Sequence, residues 1–309
     1  MIFPLFKMRR RRSSTSLFFV AALALLSLLL VACGGSASSG GATTGGGSTP
    51  TAKPSIAPPN DLLQSGTLTI GSDTTYPPQE YIDQGTKKAA GFDVDLITEM
   101  AARMGLRANV VTTDFATIID SLVNKRFDIV VSAVSVTPER QKKVNFVPYF
   151  NAGESLLVQK GNPLNLKTVA DLCGQNVGVQ KATIEQDDLT MASKDCVSKG
   201  KKPINMTVLQ NQTDVVQLLA NNRVVATYQD SPVTDSYIKQ NPGQFDVGGS
   251  VVNAGQEGIV VRKGDTSMFN AIQAAFNAVK ADGTYHKLIL KWGLTNEEIT
   301  LIDRRLIYA

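Results

Sequence analysis

An arginine and two aspartates bound the chemistry open to this chain. Arg140 closes the stretch Ser132-Ala133-Val134-Ser135-Val136-Thr137-Pro138-Glu139-Arg140. There an apolar run ends in small hydroxyl residues and a helix start follows: Thr137 suits an N-cap and Pro138 the first turn. The free amides and positive end of that turn would face the C-terminal edge of the strand, where open α/β sheets take ligands. A guanidinium at that place can grip a carboxylate with two parallel bonds. Hydroxyls, amides and an arginine together make an anion site; the plainer alternative is an N-capped helix with an exposed arginine. Asp73 and Tyr76 follow a first strand in Gly71-Ser72-Asp73-Thr74-Thr75-Tyr76-Pro77-Pro78, and Phe115 follows a strand beginning near Ala108. Asp230 comes after the apolar run Val224–Tyr228. A fixed carboxylate opposite an arginine is what the ammonium of a zwitterion requires. Two aromatic faces suit an aliphatic or amidinium side chain. The alternatives are that Tyr76 and Phe115 belong to the core and that Asp230 caps a helix starting at Pro232. Asp73 and Glu80 point to a cationic or amide-bearing ligand, unless Asp73 bonds its own turn.

These residues sit at the ends of alternating short strands and amphipathic helices. Thr67–Gly71 reads as a strand. Phe92–Met104 reads as a helix, with Leu96, Met100 and Met104 recurring every four residues and Gly105 at its stop. Ala108–Thr112 is a strand, Ile118, Ile119, Leu122 and Val123 mark a helix, and Phe127–Val136 reads as a long buried parallel strand. The order then repeats in kind. Strands are expected at Ser155–Gln159, Val177–Gln180, Val224–Tyr228 and Gly258–Val261. Helices are expected at Asp214–Asn221, Pro232–Gln240, Ser267–Lys280 and Tyr285–Lys291. Two α/β lobes with chain crossings near 151–154 and 250–256 account for both runs, the second crossing returning the last helices to the first lobe.

The N-terminus carries its own signals. Lys7, Arg9, Arg10, Arg11 and Arg12 precede Leu17–Val31, fifteen residues in which only Ser27 is polar. That run is shorter than the roughly 20 residues of a bilayer span and matches the core of a secretory signal. Removing the five cations leaves 26 basic against 27 acidic residues, so the remainder has no overall electrostatic case for nucleic acid. Leu30-Val31-Ala32-Cys33-Gly34-Gly35 resembles the lipobox of bacterial lipoproteins, which implies residues 1–32 as a signal peptide and a lipid on Cys33. A short membrane anchor or a non-lipidated signal is the alternative. The following Gly, Ser, Thr, Ala and Pro residues read as a flexible tether over 33–62. Export leaves Cys173 and Cys196 as an even pair in an oxidising compartment; a disulfide is expected, with two buried free thiols as the alternative. One histidine, His286, and no close-spaced thiol pair give no zinc set. No metal or cofactor is expected.

Five motifs in order resemble the polar-amino-acid family of bacterial extracellular solute-binding proteins, the receptors of ATP-driven importers. They are Gly71–Pro78, Gly91-Phe92-Asp93-Val94-Asp95-Leu96, Val136–Arg140, Asp230-Ser231-Pro232-Val233 and Lys280-Ala281-Asp282-Gly283-Thr284-Tyr285. The resemblance covers residues 66 to 294. It implies a two-lobed α/β fold of the periplasmic-binding-protein type II class, with lobe 1 as 63–152 and 255–309, lobe 2 as 153–254, and two crossover strands as a hinge. It also implies that Arg140 holds an α-carboxylate with Ser135 and the Ala133 backbone, that Asp230 holds the α-ammonium, and that Tyr76 and Phe115 flank the side chain. Asp171-Leu172-Cys173-Gly174 with Cys196 resembles a disulfide-bearing subset. Permease and ATPase subunits are the implied partners, with a monomeric receptor held outside the cytoplasm by its lipid. Two departures stand out. Gln79 replaces the aromatic common after Pro-Pro, and Ala182-Thr183-Ile184 replaces Gly-Thr-Thr. Thr183 remains a candidate donor to the carboxylate. Rival readings are a sensor for a signalling partner and a dehydratase on the same scaffold, for which Glu80, Asp73 or Glu257 would be the acid–base.

Overall fold

The computed structural model describes residues 56–299. Its first strand, β1 (Thr67–Ser72), leads into a small antiparallel meander of β2 (Thr75–Tyr76), β3 (Glu80–Ile82) and β4 (Ala89–Ala90). Gly91 then turns the chain into α1 (Phe92–Arg103) at a φ of 129°, and a Cβ there would lie 2.1 Å from the carbonyl oxygen of Gln79. Only glycine fits so close a backbone approach. β5 (Arg107–Thr112), a short 3-10 turn at Phe115–Thr117, α2 (Ile118–Val123), β6 (Ile129–Val130) and α3 (Pro138–Lys143) follow. β7 (Val144–Gln159) runs for 16 residues out of this part of the molecule. Then come β8 (Asn176–Gln180), α4 (Ile184–Ser198), β9 (Asn205–Leu209), α5 (Gln212–Ala220), β10 (Ala226–Asp230) and α6 (Ser231–Gln240). β11 (Phe245–Arg262), 18 residues long, brings the chain back to α7 (Thr266–Ala281) and α8 (Thr284–Trp292).

The main sheet has the order β5-β1-β6-β11-β7-β10-β8-β9. β1 pairs in parallel with β5 and β6, and β8 with β9 and β10; the long strands β7 and β11 run antiparallel between the two groups. Each end of the sheet has its own core, as the two-sided apolar pattern of the strands requires. At the β1 end, Leu68, Ile70, Ile129 and Ile259 pack under α1, α7 and α8, while Val130 and Val260 face α2 through Ile118 and Leu122. At the β10 end, Leu156, Val158, Val177 and Tyr228 meet Leu189 of α4, and Leu157 turns the other way onto Val216 and Leu219 of α5. The fold is therefore a two-lobed α/β structure of the type II periplasmic-binding class. Between the lobes, the β7–β11 ladder is broken by register shifts between Gly248 and Val252, Val252 and Gly255, and Glu257 and Gly258. Cys173, after the 3-10 turn Val169–Leu172, is joined by a disulfide to Cys196 on α4.

The helices expected from the sequence form within two residues of their expected ends, but the strands were misjudged in three places. The apolar run Phe127–Val136 pairs as a strand over Ile129–Val130, because the backbone leaves the ladder at Ala133, whose φ is 45°. Ser155–Gln159 and Gly258–Val261 are pieces of the two long strands. The meander β2–β4 and the strand β9 carried no sufficient pattern, their residues being short in number or half-exposed. The signal, Cys33 and residues 34–55 lie outside the described residues; 56–62, expected as the end of a flexible tether, instead pack on the fold, with Ile56 and Leu62 against the core and the Ile56 amide donating to the Arg103 carbonyl at 3.1 Å. Among those described, no helix is long and apolar enough to cross a membrane.

Candidate functional site

The eight residues singled out from the sequence, Asp73, Tyr76, Phe115, Ala133, Ser135, Arg140, Thr183 and Asp230, all line one cavity. Its walls come from strand ends: β1 delivers Asp73, the departure of the chain after β6 delivers Ser132 to Ser135, β8 delivers Gln180, and β10 delivers Asp230. This is the carboxyl edge of the parallel strands, where the helix N-termini also gather.

Arg140 is held from three sides. Its Nη1 donates to the Ser135 carbonyl at 3.0 Å, its Nη2 reaches the Ala182 carbonyl at 3.3 Å, and its guanidinium stands 5.5 Å from the centre of the Phe115 ring. The expected cap forms, the Thr137 hydroxyl accepting from the Arg140 amide at 3.2 Å. Asp230 does not cap α6 with its side chain. Instead its Oδ2 accepts the Tyr76 hydroxyl at 2.7 Å, and that hydroxyl oxygen accepts the Asp230 amide at 3.2 Å. Asp73 is both a turn former and a cavity residue: Oδ1 accepts the Thr75 hydroxyl at 2.8 Å, and Oδ2 accepts the Gln180 side-chain amide. Three of these contacts, with that of Thr75 Oγ1 to the Gln212 amide at 3.0 Å, join the two lobes directly across the cleft. Thr183 caps α4, accepting from the Gln186 amide at 3.2 Å and donating to the Gln180 carbonyl at 3.0 Å. Its hydroxyl hydrogen is therefore already engaged.

Gln180 and Glu185 line the cavity without having been expected there; Ser132 and Ile184 stand within stretches noted in the sequence, and Glu80 was a weaker pointer. Ser132 opens the stretch that Arg140 closes; its hydroxyl accepts the Asp73 amide at 2.8 Å and donates to Glu80 at 2.9 Å. Glu185 had no signal, since an acid in the first turn of a helix is ordinary. With these residues the cavity carries four carboxyl groups and one guanidinium. Glu80 Oε2 and Glu185 Oε1 are buried without a hydrogen-bond partner. Burial pushes Asp73 up to about 6 against the bonds from Thr75 and Gln180. Burial likewise raises Asp230 to about 6, opposed by the Tyr76 hydroxyl and the Arg140 charge. Glu80 and Glu185 go well above the usual carboxylate range through burial, reinforced by the charges of Asp93 and Asp230 respectively. Burial lowers Arg140, while Glu185, Asp230 and Asp187 work to keep it charged. A surplus of buried acid is costly until a cation arrives.

A match to the bacterial extracellular solute-binding proteins, family 3, runs over residues 68–295. The chain belongs to that family. Its similarity to the L-cystine-binding protein TcyJ of Escherichia coli K12 is 29% identity over 235 residues, covering 75% of this chain and 85% of the relative. With the lysine/arginine/ornithine-binding periplasmic protein of the same organism it shares 32% over 234 residues, covering 73% and 87%. Among solved structures, an ancestral arginine-binding protein bound to arginine superposes with a TM-score of 0.68 at 34% identity, covering 74% of this chain and 98% of that one.

The two departures noted in the sequence have structural counterparts. Gln79 is fully buried and donates to Glu257 Oε2 on β11 at 2.5 Å, a polar pair below the cavity. Ala182 holds a φ of 64°, a conformation glycine adopts freely and alanine does not.

Proposed function

We propose that this chain is the substrate-binding protein of an ATP-driven importer and that it captures a cationic amino acid between its lobes. The observation that carries the reading is the convergence of Arg140 and Asp230 from opposite lobes onto one cavity where carboxyl groups outnumber the single guanidinium. Arg140 takes the α-carboxylate and Asp230 the α-ammonium. Tyr76 and Phe115 flank the ligand's side chain, and Asp73 with Glu80 receives its terminal charge. The names of the relatives that bind lysine, arginine and ornithine, or arginine, support this ligand class; the cystine-binding relative keeps other polar amino acids in the test.

In this proposal, residues 63–152 with 255–309 form the first lobe, 153–254 the second, and the broken ladder of β7 and β11 is the hinge. Ligand docks on Arg140 and the second lobe closes Asp230 over it. Binding near −8 kcal/mol corresponds to about micromolar affinity, sufficient for scavenging. We assign the site binding and no reaction. The lipid on Cys33 and the tether after it keep a monomeric receptor beside its permease and ATPase and raise its effective concentration there; Cys33→Ser should abolish incorporation of labelled fatty acid in cells.

A thermal-shift screen of the twenty amino acids with ornithine and citrulline tests the reading, since a ligand of the native state alone raises the melting temperature. Arginine, lysine or ornithine should give the largest rise. A response confined to acidic amino acids, or none at all, would remove the proposal.

A further inference from the structure

Glu185 is the cavity residue that the clasp of Arg140 and Asp230 leaves unexplained. It sits in the first turn of α4, is 2% exposed, and lines the cavity with its Oε1 lacking any hydrogen-bond partner. It shares the cavity with Asp230 and feels the charge of that carboxylate. Two carboxylates buried in one small cavity resist both being charged without a cation between them. The surrounding groups offer limited compensation. Asp230, at the end of β10, faces the Tyr76 hydroxyl from β2 and Arg140 from α3. Glu185 faces Asp230 and, from β7, Glu154, with its own amide as a donor nearby and the Thr183 hydroxyl already donating to the Gln180 carbonyl. Glu257 on β11 feels the charges of both. Apart from Arg140, whose guanidinium is bonded to the Ser135 and Ala182 carbonyls, every one of these side chains is an acid or a neutral hydroxyl.

We propose that Glu185 and Asp230 form a two-carboxylate seat for the ligand's α-ammonium, which keeps a shared proton while empty and gives it up to solvent as the amino acid docks. The inference rests on the amino-acid-binding reading above and deepens it. The exchange balances: the ammonium enters with its own three protons, one carboxyl proton leaves to buffer, and the seat goes from one negative charge to two against the incoming positive one. Raised carboxyl groups in the empty seat are the electrostatic counterpart of this geometry. Because the proton leaves on binding, affinity rises with pH until the empty seat deprotonates by itself, and is flat beyond that point.

The test is calorimetric titration of the full-length protein with L-arginine as probe, in three buffers of different ionisation enthalpy at pH 6.5. The observed heat should vary linearly with buffer enthalpy, with a slope corresponding to release of up to one proton. Glu185→Gln, which keeps the shape and removes the charge, should cut that slope by at least half and weaken arginine about tenfold. A wild-type heat that is the same in every buffer, with arginine bound, overturns the seat while leaving the function intact. An unchanged slope in Glu185→Gln also overturns it. Arginine that gives neither heat nor thermal shift fails the ligand class itself, and the seat with it. Should the variant not fold, the wild-type buffer series alone decides.

Discussion

Replacing Arg140 by methionine keeps the apolar stem against Phe115 and deletes the guanidinium. The wild-type side chain bonds the carbonyls of Ser135 and Ala182 and leaves its remaining N–H groups for a ligand carboxylate. Two charge-assisted bonds to a carboxylate contribute about 1.5–3 kcal/mol each, so their loss costs about 3–6 kcal/mol of binding. That is a weakening of roughly a hundredfold to ten-thousandfold in Kd. Lysine at the position restores the charge and not the planar fork, so Arg140→Lys should recover part of the affinity. Calorimetry with arginine reads both variants, and far-ultraviolet circular dichroism checks that they remain folded. If Arg140→Met binds within threefold of the parent protein, the carboxylate is not held by this guanidinium and the orientation of the ligand is wrong.

Asp73 gives a stability prediction with a definite sign. Its carboxyl titrates near 4 in the unfolded chain and at about 6 in the fold, so the native state binds the proton more tightly. Stability of the empty protein should therefore fall as pH rises from about 4 to about 6 and level off above that. Asp73→Asn should gain up to about 3 kcal/mol at pH 7, much less at pH 4, and lose arginine affinity; an equal change at both pH values in urea titrations refutes the assignment. Replacing Cys173 and Cys196 by serine opens a link spanning 23 residues and should lower unfolding free energy by about 3 kcal/mol in the chain-entropy account, with arginine affinity little changed. At Gly153 on β7, an added Cβ would lie 2.4 Å from Val251 Cγ1 and 2.8 Å from the Val252 carbonyl oxygen. Gly153→Ala should push the crossing strands apart at a cost of about 1–3 kcal/mol, read as a lower urea midpoint.

Much of this protein was readable before any coordinates. Helix periodicity, the Thr137-Pro138 start and the order of strand and helix depend on neighbours in the chain, and α1, α3, α7 and α8 form where those signals stand. The choice of Arg140 and Asp230 was likewise local, each following the end of an apolar run. Tertiary structure decided what local signals could not carry. Whether Asp230 caps a helix or faces a cavity depended on Tyr76, 154 residues away, taking its carboxylate. The length of β7 and β11 depended on their pairing with each other, since an exposed strand segment has no burial alternation to read. The acid surplus is a property of packing as well: nothing in the sequence marks Glu185, and only its burial with Glu80, Asp73 and Asp230 around one cavity turns common residues into an electrostatic demand for a cation.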